Sequence, residues 1–211
     1  MSKVKEDSYI FCASIIRASE NTLLPEAELV RAAEADTFQG AMAVLNEHGF
    51  SDGKALERPR DFVKLLNEEE EKAYELVFSA VPEKSELELF RCPKDYHNVK
   101  AALKAEFLGL DPESYMMEGG NFEPMAMASM IRERNFMFFS TEMKDAVNQA
   151  VELFGKGRDP QEIDIILDKA CYSQMLKEAE KTENQFLIGY VKLLIDILNV
   201  TTFVRLRQIG K

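Results

Sequence analysis

Three observations predict an all-α fold for this chain. Apolar residues recur at three- and four-residue spacing over most of its length, no segment sustains a period-two alternation, and only ten Gly and seven Pro punctuate 211 residues. The first helix is expected over Ser8–Leu24, with Ile10, Phe11, Ala13, Ile15 and Ile16 on its apolar side. Pro25 suits the opening of a second, where its missing N–H is not needed and Glu26 and Glu28 favour the positive end of the dipole. A third runs over Thr37–His48 and stops at Gly49, and Ser51–Pro59 reads as a loop.

The period resumes over Arg60–Ala80 around an exposed Glu68–Glu71 run, an acidic face whose alternative use is steering a basic partner. Ser85–Leu108 reads as one helix interrupted at Pro93, where the ladder loses a donor. Gly109–Pro124 is the clearest break, with two Pro, three Gly and an Asp-Pro turn initiator. Short helices are expected at Met125–Arg134 and Thr141–Phe154. Asp159-Pro160-Gln161-Glu162 and Thr182-Glu183-Asn184-Gln185 read as capping boxes before two long helices, the last running to Ile209.

Composition narrows the function. At 30% charged and 46% hydrophobic the chain is ordinary globular material, expected to be soluble. Twenty-six Lys plus Arg against thirty-seven Asp plus Glu leave a net charge of -11, which disfavours nucleic acid and anionic lipid as partners. Cys12, Cys92 and Cys171 have no pairing or metal spacing and read as reduced cytosolic thiols. His48 and His97 are the two histidines, and their spacing suggests no metal site. The polar N-terminus lacks a signal peptide's apolar core, and the apolar stretch Phe186–Val200, broken by Lys192, Asp196 and Asn199, reads as too short to span a bilayer. No P-loop, nucleophile–histidine pairing or metal cluster points to a catalytic site or a cofactor.

The chain also repeats itself. Asp95-Tyr-His-Asn98-Val99-Lys100-Ala-Ala-Leu103-Lys104-Ala-Glu-Phe-Leu-Gly109 aligns without a gap on Asp196-Ile-Leu-Asn199-Val200-Thr201-Thr-Phe-Val204-Arg205-Leu-Arg-Gln-Ile-Gly210. A long amphipathic helix precedes each copy. Two helical units follow from this, 1–110 and 111–211. The three-residue spacing puts Asp95 with Asn98, and Asp196 with Asn199, on one helix face. The second copy lies in a helix apolar almost all round, so Asp196 is expected to be buried among hydrogen-bond partners that fix helix packing, with a catalytic or ion-binding carboxylate as the alternative.

Half of the ten methionines, Met116, Met117, Met125, Met127 and Met130, fall within fifteen residues. They read as gap-filling core or as a forgiving contact surface in which Met116 and Met117 take part. Lys192, Arg205, Arg207 and Lys211 make the tail basic, which suits a helix C-terminus or a partner's acidic loops; Lys104 matches Arg205 in the first copy.

DYHNVKAALKAEFLG and DILNVTTFVRLRQIGK resemble the repeated signature of the C subunit of V-type and archaeal-type (A-type) ATP synthases, the counterpart of the vacuolar ATPase d subunit. The order Tyr9…Ala13…Ile16-Arg17-Ala18…Leu23-Leu24, then Leu45…Gly49-Phe50, is similar to that family's N-terminal part. The resemblance implies an all-helical, funnel-like subunit without an active site or cofactor, cytoplasmic and peripheral to the membrane. It further implies that rotor-ring membrane subunits and central-shaft subunits are the partners and that rotation is coupled between them, with no nucleic acid and no direct membrane insertion. Two departures stand out. Family members usually hold three helical units, so the chain is expected to be either a piece of a longer protein or a shortened homologue; and Lys100 of the first copy is Thr201 in the second. The alternative is a helical interaction scaffold of the same fold without the ATPase partnership.

Overall fold

A computed structural model describes residues 9–50, 62–155, 157 and 160–210. Among them there is no strand, and ten α-helices follow one another: α1 Ile10–Ser19, α2 Glu26–Ala33, α3 Phe38–Glu47, α4 Phe62–Ala80, α5 Ser85–Glu88, α6 Cys92–Leu108, α7 Pro124–Arg132, α8 Thr141–Gly155, α9 Pro160–Lys181 and α10 Gln185–Gln208. The all-α expectation holds. The expected loop over Ser51–Pro59 and the Asp159 cap lie outside the described residues.

The chain forms two compact units, Met1–Lys84 and Ser85–Lys211. In the first, α2 packs on α3 and α1 on α4. Thr37 caps α3 by accepting the Gly40 N–H at 3.0 Å. Arg31 pairs with Glu28 at 2.9 Å and with Glu47 of α3, so one guanidinium ties two helices. The acidic run on α4 is less exposed than expected. Of the four, Glu70 is exposed, while Glu68, Glu69 and Glu71 are half-buried, and Lys64 and Lys72 pair with Glu68 and Glu69.

The second unit holds the larger core. Tyr96, Val99 and Leu103 of α6 meet Met127 and Ile131 of α7, Met143 and Val147 of α8, and Ile163, Leu167 and Met175 of α9. Phe107 stacks on Phe154 with centroids 3.7 Å apart. The compact division falls at 84/85, whereas the repeat puts its boundary at 110/111. The reason is that α6 buries its apolar face on α7, α8 and α9, all downstream of it.

Several local expectations need correction. Pro93 does not interrupt a helix. It lies in the first turn of α6, where no donor is needed, and the break falls before it, between α5 and Cys92. The cap of α10 is Asn184, whose Oδ1 accepts from Phe186 N at 3.0 Å and Leu187 N at 3.4 Å; Thr182 instead accepts from Asn184 N. Glu123, unremarked in the sequence, caps α7 by accepting from Met125 N and Ala126 N.

The largest correction concerns α10. Leu187 and Val191 are buried, but Asp196 and Asn199 are exposed, as is most of the helix beyond them. An all-round apolar helix is ordinarily enclosed; this one is covered mainly along its first half, where α9 and the core meet it. It is also continuous to Gln208, because residues 201–208 contain neither Gly nor Pro. By length and composition α10 could cross a membrane, which overturns the expectation that its apolar stretch, ending at Val200, is too short.

Candidate functional site: the Asp-x-x-Asn clamp

The two motif residues of α6 are among the most enclosed polar groups of the unit: Asp95 is 2% exposed and Asn98 is 0% exposed. Their spacing turns both toward the segment between α6 and α7. Asp95 Oδ1 accepts the backbone N–H groups of Asn121 at 2.8 Å and Phe122 at 3.1 Å, while Oδ2 accepts the Asn121 side-chain amide at 2.8 Å. Asn98 closes a two-way pair with Met117: its amide donates to Met117 O and its carbonyl accepts Met117 N, each at 2.8 Å. His97 Nε2 adds a contact of 3.0 Å to Tyr115 O on the exposed edge. One turn of helix therefore grips a loop from Tyr115 to Phe122.

Gly120 makes the grip possible, because a Cβ there would collide with Asp95 Oδ1. Gly119 beside it has φ of 81°, a conformation that a side chain would strain. The Asn121 side chain also donates to Glu88 O at 3.0 Å, so the loop is tied to the end of α5. Sequence reading placed Asp95 and Asn98 on one face but missed Met117, Gly120 and Asn121 as their partners. The Gly119-Gly120-Asn121 turn was the available signal, and it read only as a break.

Burial pushes the Asp95 carboxyl up to about 6, from 3.8, against three N–H donors that pull it down. The sign of the resulting pH dependence follows by linkage. Because the folded carboxyl holds its proton more tightly than the unfolded one, its contribution to stability is complete below about pH 4. The proton-linked part is lost as pH rises through 6, while the three hydrogen bonds to the ionised carboxylate still contribute. Relative to Asp95→Asn, the natural chain should lose about 3 kcal/mol between pH 3 and pH 8, read as the difference between urea midpoints multiplied by m. A flat difference across that range would mean that Asp95 is solvated.

Burial likewise pushes the Cys92 thiol up to about 12 and raises that of Cys171, so both remain protonated and unreactive near neutrality. Tyr96 donates to Gln174 Oε1 at 2.9 Å, and Ser140 reaches the same oxygen at 2.5 Å. Among the described residues no three His, Cys, Asp or Glu side chains converge as metal ligands. The arrangement holds helices and a loop in register.

The other singled-out residues separate. Lys104 pairs with Asp164 of α9 at 2.6 Å, and Lys100 with Asp168 at 2.5 Å, giving two ties between α6 and α9. Arg205 and Arg207 lie exposed in the last turn of α10, where the dipole favours positive charge. Met116 and Met130 pack against the core half-buried, Met127 is fully enclosed, and Met117 and Met125 are exposed. Asp196 and Asn199 face solvent, and among the described residues none hydrogen-bonds to either side chain.

Residues 13–211 match the family described as ATP synthase (C/AC39) subunit, a span that takes in both motif helices. The chain belongs to that family. The C/AC39 match agrees with the resemblance carried by the two D-x-x-N segments. The C subunit of the V-type sodium ATPase of Enterococcus hirae is 21% identical over 146 residues, which is 69% of this chain and 44% of that protein. This C/AC39 chain thus spans less than half the length of the curated relative it matches.

Proposed function

We propose that this chain is a non-catalytic rotor subunit of a V-type or A-type rotary ATPase, standing in the central stalk between the shaft and the membrane rotor ring on the cytoplasmic side. In this role it couples ATP hydrolysis or synthesis to proton or sodium transport by transmitting torque. The observation that carries the reading is the C/AC39 family match over residues 13–211. A torque-bearing part must deform little, and the close-packed 85–211 unit, with its clamp and its two α6–α9 ties, has that quality. Contact with the membrane is through ring protein: Lys192, Asp196 and Asn199 within α10 would each be costly in hydrocarbon.

Exposed Arg205 and Arg207, with Met117, are the candidate partner contacts, whereas Lys104 and Met116 act inside the unit. The test is co-elution with shaft subunits and with detergent-solubilised rotor ring at low salt. Capture by both is expected, and Arg205→Glu with Arg207→Glu should weaken ring capture about tenfold if the ring offers acidic loops. Failure to co-elute with either would sink the rotor role and leave a helical scaffold of the same fold.

A further inference from the structure

We propose that Asp95 and Asn121 form a proton-operated latch between the 115–122 loop and the end of α5. With the carboxylate ionised, the Asn121 amide ties the loop to α5. One proton on Asp95 Oδ2 turns that amide and lets α5 go. The hydrogen bonds leave the proton this oxygen. Oδ1 accepts the backbone N–H groups of Asn121 at 2.8 Å and Phe122 at 3.1 Å, donors fixed by the course of the chain. Oδ2 accepts from the Asn121 side chain, whose amide can present either its N–H donors or its carbonyl. An O–H at Oδ2 meets those N–H groups donor against donor, and a half-turn of the amide brings the carbonyl into place as acceptor.

The same half-turn aims the Asn121 carbonyl at Glu88 O, which had accepted from the amide at 3.0 Å, and that tie is lost. Little opposes the turn. Glu88 O keeps the Arg91 N–H at 3.0 Å and the Cys92 thiol at 3.7 Å, and Asn121 is exposed, so its displaced donors reach water. The backbone bonds to Oδ1 persist in both states, so the loop stays on α6 while releasing α5. The chain after α5 remains anchored by Leu89 in the core and by Phe90 against Tyr190. Around the latch, Arg91 favours the ionised carboxyl, Glu88 of α5 and Glu178 of α9 act on the neighbouring Cys92, and Cys171 of α9 feels Asp95. Glu142 of α8 is engaged by Lys177, Glu123 is turned to the start of α7, and α7 meets α6 through Met127 and Ile131, which do not titrate. His97 turns to Tyr115 O. Burial pushes the Asp95 carboxyl up to about 6, so mild acid populates the released state.

The experiment follows the full chain by NMR between about pH 4.5 and pH 8, reading the Asp95 carboxyl carbon, the Asn121 side-chain amide nitrogen and backbone hydrogen exchange corrected for its intrinsic pH dependence. The Asn121 signal is expected to move with the Asp95 midpoint. The amides of Phe90, Arg91 and Cys92, whose turn bonds close the end of α5, should lose about fivefold in protection on the acid side, the worth of one hydrogen bond. In Asp95→Asn the new carbonyl must serve the two backbone donors, which leaves its amide where the protonated Oδ2 would stand, so the acid pattern should hold at both ends of the range. Asn121→Ala should still titrate at Asp95 but show no pH-dependent change at Phe90–Cys92, and His97→Gln should behave as the natural chain. The proposal is overturned if the Asn121 side chain stays still while Asp95 titrates, a readout that needs no variant to fold. It is equally overturned if the change at Phe90–Cys92 survives in Asn121→Ala or vanishes in His97→Gln.

Discussion

Asp95→Ala is expected to lower the stability of the 85–211 unit by about 3 kcal/mol at pH 7.5, a loss to be read by urea unfolding. Three donors converge on that carboxylate, and two of them are backbone N–H groups of Asn121 and Phe122. Removing the acceptor leaves them facing a space that alanine does not fill. A single lost hydrogen bond is worth about 1 kcal/mol, and an orphaned buried donor about 1–3, so several lost together exceed what a surface change can do. The loss grows toward pH 5, where the folded carboxyl is mostly protonated and its contribution is larger. A change below about 0.5 kcal/mol would show that the loop is held by its own turns.

Gly120→Ala should be nearly as damaging, at about 2–3 kcal/mol, although it removes no interaction of its own. The new methyl collides with Asp95 Oδ1. A flexible exposed side chain would swing aside, but this carboxylate is enclosed and carries three hydrogen bonds, so either it or the loop must give way. The two substitutions act on one contact. Their effects should therefore be less than additive, because Asp95→Ala makes room for the methyl, and the double mutant should be more stable than the sum predicts by at least 1 kcal/mol. Strict additivity would place the Gly120 effect in backbone conformation instead.

Helical class was legible in the sequence because it rests on apolar spacing, which every well-packed helix must keep. Pro160 as a helix opener was legible from local chemistry, whereas Thr37 read only as the start of α3 and its capping bond emerged from the structure. The pairing of Asp95 with Asn98 on one face also followed from spacing alone. Their partners did not, since the bonds span 19 to 27 residues and a Gly-Gly-Asn turn gives no sign of what it will face. Asp196 failed for a different reason. Periodicity reports that a face is built to be covered, not that the cover is present, and α10 separates those two statements. Lys104 was ambiguous because a lysine on a helix surface looks the same whether it meets Asp164 or a partner.

The reach of the clamp along the chain bears on how the unit assembles. Its bonds close loops of 19 to 27 residues, whereas Lys104–Asp164 and Tyr96–Gln174 join positions 60 and 78 apart. Closure entropy rises with the logarithm of loop length, so the shorter rings form at lower entropic cost. The hairpin of α6 and α7 is then a nucleus assembled from neighbours, and α9 is the element that arrives late. Substitutions at the clamp should slow folding, and those at the α6–α9 ties should hasten unfolding.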